Sequence, residues 1–388
     1  MSRSYLCWKM KNDFLKVSWR KIEMSVFDIT NRCNLKCIYC CRGESLNKQV
    51  DEVSTEDVLN TIKQIVDIRG NFIVLQGGEP LIRKDIVDIL SKMKEYKKVI
   101  PAKYFNDLKN LLKLQLPAER FGMQYKKILV RQGLPMYFVS TNGTIYSKNI
   151  EKALYESGFA VDISLDSFDK EINERTRIGI NHDTVCENIK KFSERLPVSI
   201  SCTVTEENVD TIDEMIDYAY RFGAISVKYS PVIMVGNRKE NDENFRFRYL
   251  KALDRILDIF PNYSEKLYLT IKIYKHCLND SYGKAVLEKI LATPNIMLEI
   301  HECAACIKLK ELYIDPKLNV YGCASMKNDP SLSLGNLYEK TLVDLWKSEK
   351  RLYLKQQLSK HIEQAGKYGG CTASSYIIQK DTRRQKDD

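Results

Sequence analysis

No stretch of the 388 residues approaches the uninterrupted apolar length that a membrane-spanning helix needs, and Met1 to Lys11 lacks the apolar core of a secretory signal. The expectation is a soluble, cytoplasmic protein with no membrane partner. Basic residues interleaved with aromatics are also missing, so nothing marks a nucleic-acid platform, although 61 Lys+Arg against 51 Asp+Glu leave a formal net charge of +10. Most of that surplus is Lys scattered at helical spacing, the pattern of a solvated face. It leaves room for an acidic partner such as a negatively charged peptide, a phosphorylated small molecule or RNA. Internal repeats and low-complexity tracts are absent, and the tail at 377–388, where Lys380 to Asp388 holds charges of both signs and no apolar residue, reads as disordered. What the chain does hold is cysteine. There are 12, several of them two or three residues apart, which suits a reducing compartment where thiolates hold metal rather than pair as disulfides. A hydrophobic share of 44% supports one large domain and a smaller one.

After an N-terminal segment at 1–24, β-branched or aromatic runs alternate with helical periodicity. Ser25 to Thr30, Asn71 to Gln76, Met136 to Ser140, Val161 to Leu165, Val198 to Val204 and Ile225 to Ser230 read as strands. Ser54 to Ile68, Asp183 to Arg195 and Asn208 to Arg221 read as the helices between them. Such βα units predict an α/β fold, a parallel sheet curved into a barrel over 25–235. The interval 97–133 breaks the rhythm with helical spacing in Tyr104 to Leu116 and reads as an insertion, either a surface decoration or a lid or docking surface. The rhythm fades through a bridging region at 236–300, and a cysteine-bearing extension occupies 301–376.

Directly after the first strand comes Thr30-Asn31-Arg32-Cys33-Asn34-Leu35-Lys36-Cys37-Ile38-Tyr39-Cys40. Three thiolates spaced C-x3-C-x2-C can each take one iron of a cubane and leave the fourth iron open for chemistry. A structural zinc site is the competing reading; it wants four ligands, and this loop offers only the adjacent Cys41 beyond the three. The second strand runs into Gln76-Gly77-Gly78-Glu79-Pro80, where two glycines let backbone approach a ligand and a carboxylate can accept from an ammonium group. Ser140-Thr141-Asn142-Gly143 and Ser164-Leu165-Asp166-Ser167 put short polar side chains at the strand ends where barrel enzymes build active sites; turn formation competes for Asn142-Gly143. Asp166 is a candidate catalytic proton partner. Cys186 and Cys202 share faces with apolar residues and read as core packing.

This order of motifs resembles the radical S-adenosylmethionine superfamily, whose signature has an aromatic residue, here Tyr39, just before the third cysteine. The resemblance covers about Val26 to Pro231. It implies a partial (β/α)6 TIM-type barrel, a 4Fe-4S cluster on Cys33, Cys37 and Cys40, and S-adenosylmethionine as the cofactor cleaved there. It further implies that Gly77, Gly78 and Glu79, with Gln76 beside them, bind the methionine amino group. Ser140 and Asn142 would lie along the cofactor site, and Ser164 and Arg177 would contact the ribose or carboxylate. Arg175 stands in for Arg177 should the correspondence slip.

In the extension, Cys303-Ala304-Ala305-Cys306 is followed by a hairpin, Leu312 to Cys323, and by Gly369-Gly370-Cys371. Four thiolates can close a second site, and spacing alone does not separate an iron-sulfur cluster from a zinc ribbon. Together with Gly335-Asn336-Leu337 and Leu345-Trp346, the segment is similar to the SPASM and twitch extensions of radical S-adenosylmethionine enzymes. That likeness implies one auxiliary 4Fe-4S cluster on Cys303, Cys306, Cys323 and Cys371, with Cys277 beside His276 as an alternative ligand. Two departures stand out: Leu318 where the family has glycine, and Tyr368 where a cysteine often precedes Gly-Gly-Cys.

The function implied is a radical enzyme that abstracts hydrogen from a ribosomally made peptide or protein. It would draw electrons from a flavodoxin or ferredoxin and recognise its substrate through a separate leader-peptide-binding protein or through the insertion. Radical oxidation or cyclisation of a small molecule, an aminocyclitol or a nucleotide, is the alternative. A non-catalytic iron-sulfur carrier is the third reading.

Overall fold

A computed structural model describes residues 22, 24–43, 46–48, 52–68, 70, 72–96, 101–131, 135–232, 243–301, 311–361, 373, 376, 377 and 380. Its spine is one sheet. The strands β1 (Met24–Asp28), β2 (Phe72–Gln76), β3 (Met136–Thr141), β4 (Phe159–Ser164), β5 (Val198–Val204) and β6 (Ser226–Pro231) stand side by side in chain order, all parallel. They are the six expected βα strands to within about two residues at either end, and the barrel architecture is present.

Strands form here because their two faces bury differently. In β5, Val198, Ile200, Cys202 and Val204 are buried against helices, while Ser199, Ser201 and Thr203 are half-buried on the inner face. The helices supply the opposing surface. In α1 (Thr55–Asp67), the Ser54 side chain caps the Asp57 amide, Glu56 and Asp57 occupy the first turn, and Val58, Ile62 and Ile65 are fully buried. Each such side chain contributes about 1.5–3 kcal/mol by leaving water.

Three expectations are revised. The rhythm does not fade after Ser230: β7 (Tyr268–Tyr274) and β8 (Ile296–His301) extend the same parallel sheet beyond β6. The helix expected from Asn208 begins later, at Met215–Arg221, after a short 3-10 turn at Ile212–Glu214. Asn208 is instead spent on a turn, where its amide donates to the Asp166 and Thr203 carbonyls at 2.8 and 2.9 Å and its carbonyl accepts the Thr205 amide.

The third concerns the insertion, part of which packs against the barrel. Its described part is a helical hairpin, Pro101–Leu112 and Ala118–Arg131. Leu108, Leu111, Leu112, Phe121, Tyr125 and Ile128 form a separate apolar cluster with Phe72, Met136, Ile225, Tyr268 and Met297, residues at the starts of their strands. The hairpin plugs the N-terminal end of the barrel, opposite the cysteine loop.

On the other side of β1, β9 (Glu311–Ile314) adds in parallel, and β10 (Asn319–Tyr321) and β11 (Gly335–Asn336) follow antiparallel. The expected hairpin thus continues the barrel sheet. Its turn residue Leu318 has φ +64° and is buried, the conformation that glycine adopts most readily. Asn336 holds the turn by donating to the Lys317 carbonyl at 2.8 Å. No helix among the described residues is long and apolar enough to cross a membrane.

Candidate functional site

The cysteine loop leaves the C-terminal end of β1 and is tied down by backbone. Gly78 donates to the Thr30 carbonyl at 2.9 Å and Glu79 to the Arg32 carbonyl at 2.7 Å, so the Gly77-Gly78-Glu79 turn lies flat against the loop. Space requires both glycines. A Cβ on Gly77 would sit 2.5 Å from the Thr30 carbonyl oxygen, and one on Gly78 would sit 2.1 Å from the Arg32 carbonyl oxygen and 2.9 Å from Cys33 Cβ. Further along, Lys36–Cys37 pairs antiparallel with Arg177–Ile178, and the Ile38 amide donates to the Thr176 carbonyl at 3.0 Å. Asn47, at φ +59°, closes the loop from behind: its carbonyl accepts the Cys33 amide at 2.8 Å and its amide donates to the Cys33 carbonyl at 3.0 Å.

Glu79 is tied to the neighbouring strand ends. It is fully buried and accepts from the Leu81 amide at 2.9 Å, the Thr141 hydroxyl at 2.8 Å and the Asn142 amide at 2.7 Å. Burial raises its carboxyl above the usual range, and those three donors work against the rise. It therefore joins the end of β2 to the end of β3. Asn142 carries the link onward, donating to the Asn34 side-chain carbonyl at 2.9 Å and standing 3.9 Å from the Cys33 sulfur.

Asp166 is likewise an anchor, completely buried. It accepts from Arg177 at 2.9 Å and from the Thr203 amide at 3.1 Å, and Tyr39 donates its hydroxyl to it. The Arg177 guanidinium lies 5.9 Å from the centre of the Tyr39 ring. Half-buried Tyr39 and buried Asp166 and Arg177 thus form one unit gripping the loop beside Cys37. Ser140, Ser164 and Gln76 are half-buried on the inner barrel face at adjacent strand ends.

A second anchor was missed in the sequence. Asp28, at the end of β1, is buried, pairs with Arg42, and accepts from the Tyr313 hydroxyl and from Gln76 at 3.0 Å. Burial pushes its carboxyl up, but Arg42, Lys327, Tyr313 and Gln76 together leave it below the usual carboxylate value. Arg42 also donates to the Gly77 carbonyl at 2.9 Å, and Lys327 reaches the Cys41 sulfur at 3.6 Å. Asp28 therefore connects the cysteine loop, the Gly-Gly turn and the C-terminal hairpin. The available signal was a carboxylate following Val26 and Phe27 where the strand should have stayed apolar.

The thiols of Cys33, Cys37 and Cys40 are half-buried on one loop, and the neighbouring sulfurs add to the proton affinity of Cys33 and Cys37. Burial is the larger cause; it raises Cys33 and pushes Cys37 up to about 11, against the pull of Arg177. Metal binding by such thiols releases their protons. Among the described residues no three His, Cys, Asp or Glu side chains converge on a single metal-ion position. A cubane does not ask for that convergence, because each thiolate takes a different iron. An all-sulfur donor set beside a turn where a single added Cβ would collide with the loop fits such a cluster.

Of the second cysteine set, Cys323 is buried at the end of the hairpin, ahead of the 3-10 turn Ala324–Asn328. Cys303, Cys306 and Cys371 lie outside the described residues. Cys202 and Cys277 are buried, and Cys186 is half-buried with its sulfur 3.3 Å from His182 Nε2.

Residues 27–219 match the family model described as the Radical SAM superfamily. Among curated proteins, the chain is 25% identical over 266 residues to the GTP 3',8-cyclase of Limosilactobacillus fermentum, across 67% of this chain and 64% of the cyclase. It is 23% identical over 232 residues to the AdoMet-dependent heme synthase of Methanosarcina barkeri, across 57% of this chain and 54% of the synthase. The matches span less than two thirds of the length of these relatives. Among solved structures, SuiB of Streptococcus suis bound to the precursor peptide SuiA superimposes with a TM-score of 0.63 at 15% identity, over 90% of this chain and 71% of SuiB. The anSMEcpe structure with bound AdoMet gives 0.55 at 18% identity, over 87% of this chain and 83% of that one.

Proposed function

Because this chain belongs to the radical SAM superfamily through the domain at 27–219, we propose that it is an enzyme that cleaves S-adenosylmethionine reductively and abstracts hydrogen from a substrate held in the barrel. Cys33, Cys37 and Cys40 would hold a 4Fe-4S cluster, whose chemistry there would be the supply of one electron to the sulfonium of S-adenosylmethionine, so that the bond from sulfur to the 5' carbon breaks to give methionine and the 5'-deoxyadenosyl radical. The observation that carries the reading is the Gly77-Gly78 turn clamped on the cysteine loop at the C-terminal ends of parallel strands.

The chain's own residues contribute position. Glu79 and Asn142 hold Cys33 against the ends of β2 and β3, and the Tyr39, Asp166 and Arg177 unit holds Cys37. Preorganised in this way, the thiols keep their spacing without a change of backbone when metal binds. Gln76, Ser140 and Ser164 line the inner face below and suit polar contacts to the cofactor's amino acid and ribose. The turn at Gly77 and Gly78, clamped on the cysteine loop, would bind its methionine end through backbone groups. Asp166 is a positioning residue in this scheme, since its carboxylate oxygens already accept from Tyr39, Arg177 and Thr203.

The first substrate reading is a peptide or protein, supported by likeness to a peptide-bound fold over most of the chain. It would require a reductant such as flavodoxin or ferredoxin and, for leader recognition, a separate binding protein. The second reading, a small molecule such as a nucleotide, draws on sequence likeness to GTP 3',8-cyclases. An auxiliary 4Fe-4S cluster on Cys303, Cys306, Cys323 and Cys371 completes the proposal, resting on the cysteine spacing and on the buried place of Cys323.

The test is anaerobic reconstitution with iron and sulfide analysis, then dithionite reduction and measurement of 5'-deoxyadenosine for wild type and for Cys33, Cys37 and Cys40 changed together to alanine. About eight irons falling to about four, with loss of deoxyadenosine, supports both clusters. Zinc in place of iron, or iron with no deoxyadenosine from either protein, removes the enzyme reading and leaves an iron-sulfur carrier or a structural metal protein.

A further inference from the structure

The inner faces of the last three strands at one edge of the sheet carry charge where a filled barrel carries aliphatic side chains. Lys228 of β6 sits in register with Ser201 on one side and Thr270 on the other, and Lys272 of β7 sits in register with Glu299 of β8. Burial alternation puts both lysines on the side occupied by Ser199, Ser201 and Thr203. Lys228 is the third residue of Ser226–Pro231 and Lys272 the fifth of Tyr268–Tyr274, so both stand at mid-barrel depth, two residues apart in register.

Lys272 stands 3.6 Å from Glu299, yet 25% of its side chain and 43% of that of Glu299 stay open to solvent. The lumen is therefore wet. Among the described residues Lys228 forms no ion pair; Glu299, Asp162, the Tyr268 hydroxyl and Glu311 act on it from longer range. Asp162 already accepts the Ser201 hydroxyl at 2.6 Å. Burial and then repulsion by Lys228 hold the Lys272 ammonium below its ordinary proton affinity. Two lysines thus share the inner face of neighbouring strands, and the carboxylate that pairs with Lys272, Glu299, comes from the strand on the side away from Lys228. An oxyanion placed between the two lysines accepts hydrogen bonds from both and removes the repulsion.

We infer that Lys228 and Lys272 form an oxyanion-binding pair inside the barrel that grips a carboxylate or phosphate of the substrate. The acidic side chains around the pair set the complementary half: a hydroxyl or cationic group of the same substrate faces Glu299 and Glu311, so a molecule carrying both kinds of group fits the lumen. The inference rests on the proposed reading of the barrel interior as the substrate chamber and deepens it to a substrate class.

The test titrates reconstituted, unreduced full-length protein in a calorimeter with tripolyphosphate and, separately, with N-acetylglutamate. Wild type is compared with Lys228→Met and Lys272→Met. The expected result is binding of one probe by wild type and a loss of about tenfold or more in each variant, the size of one charge-assisted hydrogen bond. The probe that binds tells a phosphate source from a carboxylate one. Equal affinity in all three proteins, or no binding of either probe, overturns the pair. Thermal unfolding checks the variants, and Lys228→Gln and Lys272→Gln repeat the comparison should a methionine variant fail to fold. Deoxyadenosine from wild type is scored separately: its absence sinks the radical reading, and the anion pair still stands or falls on the calorimetry.

Discussion

Replacing Gly78 with alanine tests whether the turn and the cysteine loop are one unit. The new Cβ would lie 2.1 Å from the Arg32 carbonyl oxygen and 2.5 Å from its carbon, so backbone, not a flexible side-chain end, has to yield. Reaching ordinary contact near 3.4 Å moves the loop by 3.4 − 2.1, or about 1.3 Å. That displacement pulls on the Glu79-to-Arg32 bond at 2.7 Å and on the Gly78-to-Thr30 bond at 2.9 Å, each worth about 1 kcal/mol. Overpacking adds about 1–3 kcal/mol. The total, about 3–5 kcal/mol, falls on the loop and leaves the barrel core untouched. Gly78→Ala should therefore fold, with the wild-type circular dichroism spectrum, but take up less iron on reconstitution and yield at least tenfold less deoxyadenosine. Iron analysis and the deoxyadenosine assay on the same preparation read both effects. Wild-type iron and wild-type deoxyadenosine in the variant would refute the clamp. Serine in place of alanine should be no milder, because the clash comes from Cβ itself.

Three other substitutions probe separate parts of the fold. Leu318 has a left-handed backbone and a buried side chain. Leu318→Ala loses about 2–5 kcal/mol of burial, whereas Leu318→Gly recovers about 1–2 kcal/mol of backbone strain, so glycine should destabilise less than alanine in urea unfolding despite being smaller; the opposite order would reject the strain. Phe121→Ala in the plug should cost about 3–5 kcal/mol of stability while leaving iron content at the wild-type level, and loss of iron would connect the plug to the cysteine loop. Asp28, whose ordinary value is 3.8, is held lower in the folded protein. Its contribution is therefore fully present above that value and is lost as pH falls through the lowered one. The stability gap between wild type and Asp28→Asn should be widest near neutrality and narrow below about pH 4; a gap that does not change with pH would remove the linkage.

The sequence by itself determined the six strands, because alternation of the kind seen in Val198 to Val204 is a local pattern set by the two faces of a half-buried strand. It also determined the cysteine loop and the glycine turn as chemistry, since spacing and lack of a side chain are written in the chain. It could not determine what Glu79 and Asp166 do. Both read as groups facing a ligand, and both are buried with their oxygens taken by amides and side chains from distant strands. Such partners, 37 and 63 residues away for Thr203 and Asn142, leave no trace in local pattern. Asp28 was passed over for the same reason, as its partners Arg42, Gln76 and Tyr313 meet only when the hairpin joins β1. The late strands Tyr268–Tyr274 and Ile296–His301 were missed because sheet membership is decided by neighbours, and Tyr268, Met297 and the helical insertion bury one another only once the sheet has assembled. Tertiary structure alone put the insertion at the end away from the cysteines and set Lys228 and Lys272 on the inner face of neighbouring strands.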